Sequence, residues 1–266
     1  VNAAVVSASG RRRARGLFLH QLRSEQLVFW RSREAAFFIF LFPLLLFLLL
    51  GSVYSGDYTV AGVRVPAPEM LLAGLVGYGC ANTAFAGLAI QLVIRRENGI
   101  LKRLRSTPLP PATYVISLLA STLVVFALQT TVLFLIGRGL YGTPFPGDIG
   151  SFIATVVIGA AAFAALGTAI ASVIRSQEGS SAVVNFILLP MAFLTGSFGP
   201  TRHYPGFLRA IGDVLPLKYF IELVNAVYLR GDGFWTQPGA LAVLAGWGVA
   251  GLVFTTLKFR WEPRGR

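Results

Sequence analysis

Residues 97–111 read ENGILKRLRSTPLPP, a short, charged, proline-terminated insert between two long apolar runs that carry no charge. Runs of that length cross a bilayer, which makes the insert a hairpin tip at a membrane surface. On a helical wheel at about 100° per residue, Ile100, Leu101 and Leu104 share one side, while Lys102, Arg103 and Arg105 take the other. Asn98 is placed to cap a helix that starts at Gly99, and Glu97 lies beside its positive end. Pro108 closes the element, and the Pro110-Pro111 pair opens the next span with a rigid corner. The result is a rigid knob joined to two spanning helices. Beyond anchoring, a small amphipathic helix at a membrane face has one common use, docking to a partner in the water. The pattern therefore points to a membrane subunit driven by a separate protein.

The sequence has 266 residues, 55% hydrophobic and 13% charged. Soluble domains average about 25% charged residues, and the deficit places this chain in the membrane class. Its net charge of +12 does not read as nucleic-acid binding, because the basic residues flank apolar spans instead of covering one face of a polar domain. Membrane lipid is the expected partner of that charge. Arg supplies 20 of the 23 basic residues, the bias of a GC-rich bacterial coding sequence. The single Cys80 excludes an intrachain disulfide framework and a Cys-based zinc site. The first apolar run reaches spanning length with no small-residue cleavage site after it, so no cleavable leader is expected.

Two regions follow from the pattern: residues 1–34, a cytoplasmic tail with an interfacial helix, and residues 35–266, a six-span transmembrane domain. Residues 1–16 are small, polar and Arg-rich and read as unstructured. Between 17 and 33, Phe18, Leu19, Leu22, Phe29 and Trp30 fall within about a third of the wheel, with Gln26 and Arg33 interrupting the stripe. That predicts a helix lying on the cytoplasmic leaflet. Six apolar segments, 35–53, 70–94, 114–136, 149–174, 182–198 and 235–257, each come near the roughly 20 residues that a bilayer core demands. The expected fold is an all-α integral membrane protein of the cell membrane. With the N-terminus inside, 17 of the 23 Lys and Arg face the cytoplasm and 6 fall in three outer loops. Both termini are then cytoplasmic.

The outer loops differ in kind. Residues 54–69 form a Gly-, Pro- and Val-rich loop with room for a small hairpin, and 138–148 a tight Gly- and Pro-rich turn. Residues 199–234 are too apolar for a simple loop and read as two re-entrant half-helices, broken at Pro216, each too short to span. Small residues crowd the fourth span (Gly159, Ala162, Ala165, Gly167), the second (Gly74, Gly77, Gly79) and the sixth (Gly246, Gly248, Gly251), as close helix packing requires.

No Gly-x-x-x-x-Gly-Lys-Ser/Thr pattern occurs, so the chain has no P-loop nucleotide site of its own and is not expected to be an enzyme. Zincin and nucleophile-elbow motifs are absent too, and no carboxylates cluster for a metal. His20 and His203 fall on opposite sides of the membrane. No Asp, Glu, Lys or Arg lies in the middle of a span, which argues against an ion-coupled pump. Glu222, in the outer half-helix pair, reads either as an ion-pair partner of Lys218 four residues earlier or as a polar guide at an outer exit.

The run RRENGILKRLRSTPLPPATYV closely resembles the coupling segment of type-2 ABC exporter permeases, in particular the daunorubicin-resistance and nodulation-factor branch. The similarity extends over essentially the whole chain. FLTGSFGP, at 193–200, looks like that family's sequence at the end of its fifth span, and LPLKYFIELVNAVYLRG, at 215–231, resembles the outer helix that follows. The resemblance implies a homodimer or heterodimer of permeases on two copies of a separate ABC ATPase, which binds the ATP and Mg. The coupling segment would be Glu97, Asn98, Gly99, Ile100, Leu101, Lys102, Arg103, Leu104 and Arg105. It further implies export of hydrophobic or amphipathic drugs, lipids or glycolipids, entering from the inner leaflet between the first and fifth spans. Phe37, Phe38, Phe40 and Phe42 of the first span, with Phe193 and Phe198 of the fifth, are the candidate route; lipid-facing filler is the plainer reading of the first four. Two alternatives stay open. One is a polysaccharide or teichoic-acid exporter permease, and the other an integral membrane enzyme acting on polyprenyl lipids. The latter wants Asp-rich metal motifs, where the inner loops offer only Glu97 and Glu178.

Overall fold

The computed structural model describes residues 2–258 other than 61 and 108, with side chains described outside 2–14, 35, 105, 111 and 112. The chain is mostly helical. In order come α1 (Asn2–Arg31), α2 (Arg33–Val53), a hairpin of β1 (Asp57–Val60) and β2 (Val63–Pro66), α3 (Ala67–Cys80), a π-helical segment (Ala81–Gly87) and α4 (Leu88–Glu97). Then follow α5 (Ile100–Arg105), α6 (Pro111–Tyr141), α7 (Ile149–Ala171), α8 (Ser180–Leu194), α9 (Gly206–Val214), α10 (Pro216–Leu229) and α11 (Pro238–Lys258).

Among the described residues five helices are long and apolar enough to cross a membrane: Ala36–Val53, Ala67–Glu97, Thr113–Tyr141, Ile149–Ala171 and Pro238–Lys258. The fifth expected segment, 182–198, is helical only as α8, whose 15 residues rise about 22 Å against a hydrocarbon core of about 30 Å. Beyond Leu194 the chain turns instead of continuing, because Gly196 (φ +86°) and Gly199 (φ +153°) hold left-handed backbone that a helix cannot use. Of residues 1–16, read as unstructured, 2–16 are instead taken into α1, and residue 1 lies outside the described residues. The expected hairpin is present, with Val60 paired to Val63. Asp148 caps α7, its carboxylate accepting from the Ser151 hydroxyl (2.6 Å) and amide (3.0 Å), which together hold it below the ordinary carboxylate range.

The second span is the pillar of the bundle. Leu71, Leu72, Ala73, Leu75, Ala81, Ala84 and Val93 are fully buried on it, and it packs against α2, α6, α7 and α10. By contrast α2 leaves Phe37, Phe38, Leu45 and Leu49 exposed. Of the two expected outer half-helices, α10 lies inside the bundle, with Leu217, Phe220, Leu223, Val224 and Val227 buried against α3, α7 and α11. Its neighbour α9 keeps Phe207, Ile211 and Val214 exposed. Most of the small residues mark close contacts as their crowding suggests, Gly246 excepted. Gly251 lies so close to the Ala165 backbone that a Cβ would sit 2.9 Å from its carbonyl carbon, and a Cβ on Gly167 would meet the Phe85 carbonyl oxygen at 2.7 Å.

Gly167→Ala must therefore push α7 off the π-helical segment and should cost about 1–3 kcal/mol. Gly246, with no atom within 4 Å of its would-be Cβ, should tolerate Ala without loss. Thermal unfolding of the purified protein in detergent compares the two; equal Tm values would contradict the packing.

Candidate functional site

The knob begins where α4 ends. Asn98 closes α4, its amide bonded to the Ile94 carbonyl at 3.0 Å, and Gly99 takes a left-handed φ of +68°. That conformation favours glycine, and it places Gly99, not Asn98, at the start of α5, with no side-chain cap. The expected Asn98 cap is thus replaced by a left-handed glycine. At the other end the Ser106 and Thr107 hydroxyls donate to the Arg103 and Leu104 carbonyls at 2.8 and 2.7 Å, closing the helix. Pro110 is extended and Pro111 opens α6, as the rigid corner requires; Pro108 lies outside the described residues.

The two faces of α5 do not divide as the wheel suggests. Leu101 is fully buried and Leu104 half-buried against the chain's own core, whereas Ile100 is 40% exposed beside exposed Lys102 and Arg103. Two of the three apolar side chains therefore hold the knob on the bundle, and the outward patch is Ile100, Lys102 and Arg103. The Arg105 side chain lies outside the described residues. Glu97 is the last residue of α4 and accepts from Arg96 Nε at 3.1 Å, so its partner is within its own helix rather than the α5 end.

Behind the knob, two buried guanidiniums fasten it to three other helices. Arg95 donates from both terminal nitrogens to Glu25 of α1 (2.9 and 2.5 Å) and to the Tyr114 hydroxyl of α6 (2.8 Å). Arg96, 1% exposed, donates to the Ala171 and Ile174 carbonyls at 2.9 and 2.6 Å. Ala171 is the last residue of α7, where unpaired oxygens and the helix dipole attract a cation, and Ile174 lies in the turn just beyond. Gln26, which broke the apolar stripe of α1, donates from Nε2 to the Ser121 carbonyl (3.0 Å) and hydroxyl (2.8 Å) of α6. Sequence reading passed over this clamp. Its signal was a lone carboxylate on residues 17–33 and two adjacent arginines closing an apolar run.

The aromatic residues separate into two groups. Phe37 and Phe38 are exposed and meet edge-on at 5.9 Å, and Phe40 lies 5.7 Å from Trp30 of α1. Phe42, however, starts a row of rings: 5.8 Å to Tyr78 of α3, 5.1 Å on to Phe198 and 4.9 Å to Phe193 of α8. Tyr78, unremarked in the sequence, is the link. Phe198 reaches it because the turn after α8 lays the Ser197 carbonyl against Gly74, where a Cβ would come within 2.4 Å. Phe47 is buried edge-on to Tyr141 and belongs to the core. Glu222 pairs with Lys218 at 3.7 Å, and that lysine also holds Asp213 at 2.5 Å, the ion-pair reading of the two.

Glu25→Ala would leave the Arg95 guanidinium buried without its carboxylate and should cost about 3–5 kcal/mol. Replacing both partners, as Glu25→Leu with Arg95→Met, should recover most of that loss. Unfolding of the purified variants measures both; a double variant no more stable than the single one would contradict the clamp.

Residues 17–229 match the family described as ABC-2 type transporter. The Inner membrane transport permease YhhJ of Escherichia coli (strain K12) is 28% identical over 64% of this chain and 46% of its own length. The Probable multidrug ABC transporter permease YbhR of the same strain is 26% identical over 59% of this chain and 43% of that protein. The Daunorubicin resistance ABC transporter permease protein DrrB1 of Streptomyces coeruleorubidus is 30% identical over 78% of this chain and 73% of that protein. The match spans less than half the length of the two Escherichia coli permeases. On the family match and on the likeness to the Streptomyces permease, the chain belongs to the ABC-2 type transporter family.

Proposed function

We propose that the chain is the membrane subunit of an ABC exporter that moves hydrophobic or amphipathic compounds outward across the cytoplasmic membrane. The observation that carries the reading is α5, a surface helix with an outward Ile100, Lys102 and Arg103 patch, fixed to the end of the most buried span. A separate ABC ATPase, two copies per permease dimer, binds the ATP and Mg and pulls on that patch. Five spans and α8, lengthened by the turn to Phe198, make the sixfold crossing; α9 and α10 form the outer re-entrant pair. The cytoplasmic side holds α1, α5 and the end of α11. Supporting that side is the meeting of Glu25, Arg95, Tyr114 and Ile174 at one end of the bundle, the end rich in basic residues.

The compound enters between α2 and α8, where exposed Phe42 and Phe193 meet an apolar or aromatic solute at the two ends of a row of rings whose middle members, Tyr78 and Phe198, are buried. The relatives' names, a multidrug permease and a daunorubicin-resistance permease, fit cargo of that kind.

Two measurements test the reading. Ile100→Asp, or Lys102→Glu with Arg103→Glu, should leave insertion intact and reduce recovery of the ATPase in pull-down about tenfold, the effect of losing one good interface residue. Leu101→Ala should instead destabilise the chain itself, by about 2–5 kcal/mol. Wild-type pull-down by both surface variants would remove α5 as the coupling element. Separately, a cysteine at position 102 in a Cys80→Ser background should react with membrane-impermeant maleimide only in inverted vesicles. Labelling in intact cells would reverse the orientation.

A further inference from the structure

A hydrogen-bonded junction in the middle of the bundle joins the first, second and third spans. In an α-helix the Ile39 carbonyl accepts from the amide of residue 43, which here is Pro43 and has none to give. Within hydrocarbon no water can take the place of that donor. Gln129 of α6, 4% exposed, donates to the Ile39 carbonyl from Nε2 at 2.9 Å. The same amide accepts from the Thr83 hydroxyl through Oε1 at 3.1 Å. Gly79, one turn before Thr83, makes the room: a Cβ there would press on the Gln129 amide at 3.2 Å.

Thr83 lies in the π-helical segment, the one departure from α geometry in the helix Ala67–Glu97. Such segments bond less well than α-helix and recur at functional sites. Proline is likewise the place where α2 can bend. The junction thus connects two compliant points. One lies on the helix that ends at α5, and the other on the helix that carries Phe37, Phe38 and Phe42. A cap for the orphaned carbonyl would need only the Gln129 N–H. The Thr83 hydroxyl and the glycine opposite add a link to the second span that capping does not require.

We propose that Gln129 is a positioning residue that passes displacement of the second span to α2, so that a pull on α5 moves the aromatic face of the first span. The proposal rests on the ATPase-driven reading above. Thr83→Val cuts the link and leaves the Ile39 carbonyl capped. Gln129→Leu with Pro43→Ala removes the whole junction but restores the carbonyl's donor within α2, so both variants keep every buried backbone oxygen partnered.

The test uses the full chain with its ABC ATPase in lipid nanodiscs, Cys80→Ser, carrying bimane at Leu45→Cys on α2 or at Ile94→Cys on α4; both sites are exposed. The readout is the fluorescence change on trapping with MgATP and vanadate. Without the junction variants, both labels should respond. In Thr83→Val and in Gln129→Leu/Pro43→Ala, the response at 94 and the rate of ATP hydrolysis should stay within twofold, while the response at 45 falls at least threefold. Retention of the response at 45 by either variant overturns the proposal and leaves Gln129 as a carbonyl cap. Absence of a response at 94 without the junction variants overturns the coupling reading instead.

Discussion

A polar group inside hydrocarbon has no water to turn to and must find its partner within the protein, and that constraint decides which helices of this chain touch. Arg95 and Arg96 end an apolar helix and are buried, so they draw in the carboxylate of α1, the hydroxyl of α6, the last carbonyl of α7 and the Ile174 carbonyl just beyond it. Each of these partners lies at or just beyond the end of its own helix or on the surface helix α1, so the clamp gathers four elements without placing an unpaired charge in the core. The short α5 is stiff because of this clamp and not through its own six residues, which are too few to be stable alone.

Between the polar contacts, association is a matter of close approach. Lipid tails are as apolar as leucine, so hydrophobicity does not drive helix against helix here; van der Waals fit does. Glycines let α7 approach the π-helical segment and α11 approach α7 to backbone contact. The same logic places the turn after α8. Its left-handed glycines fold it back, its Ser197 carbonyl uses the space at Gly74, and Phe198 is thereby delivered beside Tyr78. A row of rings from α2 to α8 results from one missing side chain on α3.

The helix Ala67–Glu97 reaches from the hairpin to the knob and is buried nearly throughout. The knob is thus joined directly to the most buried helix of the bundle. By contrast α2, with its proline, is packed on one side against α3 through residues such as Phe47 and leaves most of its surface, including Phe37 and Phe38, exposed. The chain thus combines a helix buried on all sides with one buried on a single side.

The positions of the apolar segments, the β1–β2 hairpin, the proline corner before α6 and the short helix between the second and third spans were all legible in the sequence. Length, charge and turn residues are local properties, and they survive without knowledge of neighbours. The ion pair of Lys218 and Glu222 was legible for the same reason, being four residues apart on one helix. That Leu101 faces inward, that α10 is interior, that Arg95 belongs with Glu25 seventy residues away, and that Tyr78 and Gln129 are junctions emerges from the packing alone. In a soluble helix the apolar face marks the buried face. In a membrane helix every face is apolar, because lipid and protein interior ask for the same side chains. The pattern therefore says that a helix crosses but not which side of it meets protein, and long-range polar pairs and glycine contacts emerge only when the helices are assembled.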